Sequence, residues 1–190
     1  MKQLKQPTES NLIVLYGKKN HGKTTTLIKL LELLANGKSQ ILSDINKYFY
    51  KSGKATDCRI VVEYNNMLIL IATFGDSWEY SRVNTDFFEF IVDGKTTMFL
   101  MDASGVKPLS RMDYLNYKDR TIQFYICACR SEGDGFGAMK AYLSYMEQSV
   151  YKFAHILWIR KDKWDVDPSN KKASIIWGII NGKINSVKVS

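Results

Sequence analysis

Apolar residues fall into two patterns along this chain. Short unbroken runs bounded by polar or turn-forming residues predict buried strands at 11–16, 58–64, 67–74, 97–101, 121–129 and 153–159. Helical spacing appears at Leu27, Leu30, Leu31 and Leu34, with Gly37 as the stop. It recurs at Trp78, Val83 and Phe87 or Phe90 within 77–92, and at Phe136, Met139, Leu143 and Met146. A last stripe, Ile176, Ile179 and Ile180, follows the helix start Asp167-Pro168-Ser169. Asn65-Asn66 separates two strands by the two residues of a tight hairpin turn, and asparagine tolerates positive φ. Residues 43–56, with Tyr48, Phe49, Tyr50 and Lys51, read as a surface loop with packed aromatics. Strands alternating with helices predict an α/β fold: a mostly parallel sheet with a hairpin edge and helices on both faces. No internal repeat, low-complexity run or Pro/Gly-rich linker divides the chain. Residues 1–10 read as a flexible N-terminal segment and 11–190 as a single domain.

Composition narrows the class. The length of 190 residues suits one domain, and 45% hydrophobic with 24% charged residues excludes long disorder, collagen and coiled coil. No apolar run approaches the ~20 residues needed to span a bilayer. The basic N-terminus has no apolar stretch behind it, so no secretory signal is expected. Cys58, Cys127 and Cys129 cannot form a closed disulfide set, which predicts a cytoplasmic protein with reduced thiols. Cys127 and Cys129 share one strand face and, with only His21 and His155 to join them, read as core thiols rather than a zinc pair. A net charge of +8 is compatible with a nucleic-acid or acidic-protein partner.

One segment carries chemistry. Behind the first strand stands Gly17-Lys18-Lys19-Asn20-His21-Gly22-Lys23-Thr24, then Thr25 and the leucine-striped helix. The order is strand, glycine loop, helix, and the spacing is G-x-x-x-x-G-K-[ST]. Glycines let the backbone curl so that successive N–H groups face inward, and the helix N-terminus adds about half a positive charge at that point. Lys23 can reach β- and γ-phosphates, and the Thr24 hydroxyl can hold Mg²⁺.

These eight residues resemble the Walker A motif of the P-loop NTPases. The resemblance implies that Gly17, Lys18, Lys19, Asn20, His21, Gly22, Lys23, Thr24 and Thr25 bind nucleotide, that Lys23 is catalytic and that Thr24 serves the metal. Lys18 with Lys23 resembles the lysine pair of the deviant Walker A of the MinD/ParA-type ATPases, although Lys19 and Asn20 stand where those proteins usually carry small residues. The hairpin after the first helix is similar to the GTPase branch, whose second strand leads into D-x-x-G; here Ala72-Thr73-Phe74-Gly75 stands there, with Asp76 just beyond.

P-loop enzymes need a second acid at a strand end for the Mg²⁺ water shell. Asp76 and Asp102 compete, Asp76 favoured for its longer strand and signalled hairpin, Asp102 the closer literal match in Asp102-Ala103-Ser104-Gly105. Arg130, opening the glycine-rich stretch 130–137, is the candidate for phosphate or transition-state contact. Asp162-Lys163-Trp164-Asp165 departs from the guanine-selecting N-K-x-D at its first position, which favours ATP over GTP. The expectation is Mg-dependent triphosphate binding and hydrolysis. The alternatives are a nucleotide or small-molecule kinase, which Arg111, Arg120 and Arg130 are too scattered to supply with a compact lid, and a non-catalytic nucleotide-dependent switch or assembly module.

Overall fold

The computed structural model describes residues 10–73, 98–117, 119–133, 136–137, 140–141, 153–161 and 168–182. Among these the chain runs β1 (Asn11–Gly17), α1 (Lys23–Leu34), α2 (Ser39–Phe49), β2 (Tyr50–Lys51), β3 (Lys54–Ala55), β4 (Arg59–Tyr64), β5 (Met67–Ala72), β6 (Phe99–Asp102), β7 (Gly105–Pro108), α3 (Arg111–Tyr117), β8 (Ile122–Arg130), β9 (His155–Arg160) and α4 (Pro168–Ile180). The fold is α/β, with a mostly parallel mixed sheet that among the described residues has seven strands in the order β7-β6-β4-β5-β8-β1-β9. β5, β8, β1 and β9 are parallel, β4 runs against β5, and β6 is parallel to β4. The helices expected over 77–92 and after Phe136 lie wholly or mostly outside the described residues.

Alternation along each strand builds two cores. Ile13 and Leu15 of β1, Ile60 and Val62 of β4, Ile69 and Ile71 of β5 and Ile126 of β8 turn to one face, where they meet Leu27, Leu30 and Leu31 of α1, Ile41 and Ile45 of α2, and Ala173 and Ile176 of α4. The other face carries Leu68, Leu70 and Leu100, against which Tyr117 of α3 packs, and Leu12, Val14, Cys127 and Cys129, against which Phe136 packs. Leu12, Ile13, Val14 and Leu15 are fully buried. At ~1.5–3 kcal/mol for each buried aliphatic side chain, β1 is a firm seat for the loop that leaves it.

Two expectations change. Residues 43–56 are not a loop: most of the stretch is the end of α2 and the ribbon β2–β3, which pair Tyr50 with Ala55. Ile41, Ile45 and Phe49 recur every fourth residue and are buried, and Phe49 meets Phe99 edge-on at 5.0 Å. That stripe outweighs the polar residues between its members. The β4–β5 hairpin does turn at Asn65 and Asn66, with φ of 49° and 63°. It is internal, however, because β6 pairs with the outer side of β4, and the edge is a second hairpin, β6–β7.

Candidate functional site

In open α/β sheets ligands bind beyond the carboxyl ends of the parallel strands. At that edge β1 ends on Gly17, beside Arg130 at the end of β8, and the chain loops over into α1. Asn20 (φ 61°) and Gly22 (φ 74°) are both left-handed, which reverses the backbone twice within the loop. Glycine takes that conformation without a steric cost, and asparagine is the residue that next best tolerates it. His21 N–H donates to the Lys18 carbonyl at 3.3 Å, closing the turn.

Gly22 has no side chain with which to cap α1, and no acidic residue stands in the helix's first turn. The first-turn amides thus have no side-chain cap, and the positive end of the helix dipole stands where the loop ends, an arrangement that suits an anion. The first backbone bond of the helix is Thr26 N–H to Gly22 O at 2.9 Å. Lys23 is 8% exposed, and its ammonium folds back to donate to Gly17 O and Lys18 O, both at 2.9 Å. Lys18, Lys19 and Asn20 are exposed. Lys18 stands 3.8 Å from the exposed Glu132, a surface pair of small energetic consequence. Thr25 is half-buried at the helix start.

The acid beside the loop is one that strand ends do not predict. Thr24 Oγ1 donates to Asp57 Oδ1 at 2.8 Å, and Thr73 Oγ1 donates to the same oxygen at 3.0 Å. The cause is strand direction. β4 is antiparallel to β5, so the residues leading into β4 lie at the edge where β5 ends; Thr73 N–H donates to Cys58 O at 3.0 Å there. Asp57 precedes a strand, whereas Asp76 and Asp102 were expected from the strands they follow. The hairpin signal at Asn65-Asn66 contains the information, because it places the start of one strand next to the end of the other.

Asp102 is elsewhere. It ends β6, which runs opposite to β1, so it lies at the far edge of the sheet from Thr24. Its Oδ1 accepts from Ser104 N–H at 2.8 Å and from the Ser104 hydroxyl, which makes it the turn residue of the β6–β7 hairpin. Asp76 and the 162–165 stretch lie outside the described residues. Arg130 is half-buried in register with Gly17, and Ser131 N–H donates to Gly17 O at 3.1 Å, so the end of β8 borders the loop.

Thr24, Thr73 and Asp57 offer hard oxygen donors, the kind Mg²⁺ accepts; this ion is commonly held by one or two carboxylates plus waters and phosphates rather than by a protein cage. Among the described residues no group of three or more His, Cys, Asp or Glu could hold a metal by itself. Thiol chemistry is disfavoured. Burial pushes Cys129 up to about 12, only partly offset by the Lys23 charge, and burial and the Asp57 charge push Cys58 up to about 12. Among the described residues no helix is long and apolar enough to cross a membrane. No protein-family model, curated protein or solved structure matches the chain.

Proposed function

We propose that the chain is a P-loop protein that binds a Mg-nucleoside triphosphate at residues 17–24 and hydrolyses it, with ATP favoured over GTP. The observation that carries this reading is the Thr24–Asp57 hydrogen bond beside Lys23 at the start of α1, within a complete G-x-x-x-x-G-K-T. A Walker-type loop needs a lysine for the phosphates, a hydroxyl for the metal and an acid behind that hydroxyl. The three groups stand together here although Asp57 is distant in sequence from the motif.

Each residue then has a role. Lys23 exchanges its two loop carbonyls for phosphate oxygens, so the loop keeps it desolvated and near its target before ligand arrives. Asp57 accepts a hydrogen bond from the Thr24 hydroxyl and so turns the hydroxyl lone pairs outward. Arg130 supplies positive charge at the rim where phosphoryl charge develops. The Mg²⁺, when bound, would neutralise charge on the β- and γ-phosphates. The alternative reading, a switch module, gains support from the path of the chain: Asp57 follows directly on the β2–β3 ribbon, whose end is tied by Thr56 N–H to Phe49 O at 2.9 Å. A ligand felt at Asp57 would be felt in that ribbon, and a protein or nucleic-acid partner could read it.

The test is an equilibrium titration of ATP, GTP and their diphosphates with and without Mg²⁺, followed by phosphate release at saturation. Mg-dependent triphosphate binding with turnover supports the enzyme. Binding with negligible turnover until a partner is added favours the switch, and a labelled-ATP acceptor screen separates either from a kinase. Absence of any nucleotide binding would remove the proposal.

A further inference from the structure

Lys161, the first residue after β9, straps the 17–24 loop from outside. Its N–H donates to Tyr16 O at 2.7 Å. Its carbonyl oxygen lies 3.1 Å from His21 Nδ1 and so close to Gly17 that a Cβ there would collide with it. Its side chain, 1% exposed, runs past Gly22, with Cε 4.0 Å from where a Gly22 Cβ would stand. Backbone and side chain of Lys161 thus follow the loop from its first glycine to its second.

The His21 side chain joins the loop to this strap through that hydrogen bond. It sits between the two left-handed residues Asn20 and Gly22, at the point where the loop reverses. The preceding three residues are exposed. Without an anchor at the reversal, the ordering of this stretch would fall on ligand binding, at the entropic cost that preorganised sites avoid. A carbonyl oxygen can only accept, so Nδ1 carries the proton, and in the neutral ring Nε2 holds the lone pair.

We infer that His21 is a positioning residue for the triphosphate: its Nδ1–H, held by the Lys161 carbonyl, sets the curl in which the loop amides converge. This rests on the nucleotide-binding reading above. The imidazole acts through the backbone and needs no contact with the phosphates.

The experiment combines Mg·ATP titrations of wild type, His21→Ala, His21→Asn and Lys23→Ala with ¹⁵N NMR of the His21 ring. Asparagine can place its Nδ2–H where Nδ1–H stands. The expected result is a Kd raised about two- to tenfold in His21→Ala, the worth of one hydrogen bond, and largely restored in His21→Asn. At a pH high enough to make the ring neutral, the wild-type imidazole should carry its proton on Nδ1 before nucleotide is added. The inference is overturned if His21→Ala binds as wild type while Lys23→Ala does not, if asparagine restores nothing, or if the ring is the Nε2–H tautomer. Should Lys23→Ala also bind as wild type, the nucleotide reading itself falls, and this inference with it.

Discussion

The two edges of the sheet both carry polar clusters, and they are built differently. At the far edge Glu63 receives Arg120 Nη1 at 2.7 Å and the Tyr117 hydroxyl at 2.8 Å, while Arg120 Nη2 reaches Asn66 O at 3.4 Å and the guanidinium lies 5.3 Å from the Tyr117 ring centre. Charge is met by opposite charge, and the cluster ties the β4–β5 turn to the chain leading into β8. At the loop edge the contacts differ in kind. Lys23 is held by two neutral carbonyls, which a phosphate can outcompete, and the nearby acid is bonded to hydroxyls. A closed ion pair is a fastening; on the proposed function, a cation held by carbonyls beside a helix N-terminus would be ready to receive an anion.

Substitutions can break that contrast. The largest effect is expected from Lys23→Ala, which should weaken Mg-nucleotide binding by at least ~1.5–3 kcal/mol, the worth of a charged hydrogen bond, with the far-UV spectrum unchanged. Calorimetric titration checks it. Next comes the acid: Asp57→Asn should raise the Mg²⁺ concentration needed for nucleotide binding, whereas Asp102→Asn at the far edge should leave it unchanged. Mg²⁺ titrations at fixed nucleotide, with Asp76→Asn run beside them, decide which carboxylate serves the metal.

The smallest effect concerns the fastening. Hydrogen bonds from Arg120 and Tyr117 hold the Glu63 carboxyl below the usual range. A depressed folded-state pKa contributes stability above the unfolded value of about 4.3 and loses it as pH falls through the folded value. Glu63→Gln should therefore cost about 1 kcal/mol or less at neutral pH, a gap that closes on acidification, with nucleotide affinity unaffected. Urea unfolding of both proteins from neutral to acid pH measures the gap; one that widened in acid would contradict the assignment.

The loop was legible because its signal is local: strand, glycine spacing and leucine stripe are contiguous, and β1 and α1 lie where those residues place them. The Asn65-Asn66 turn was legible for the same reason. α2 was hidden because its stripe of Ile41, Ile45 and Phe49 is thin among polar residues, and its helix is fixed by packing on Phe99 from a distant strand. Asp57 was hidden by topology, since its relation to Thr24 depends on β4 running backwards. The Lys161 strap was hidden because β9 joins β1 only through the sheet register.

The most direct test maps amide chemical shifts as Mg·ATP is added. Shifts are expected at Gly22, Lys23, Thr24 and Asp57, with Glu63, Asn66 and Arg120 unmoved. Shifts centred on the far edge, or none anywhere at saturating nucleotide, would contradict it.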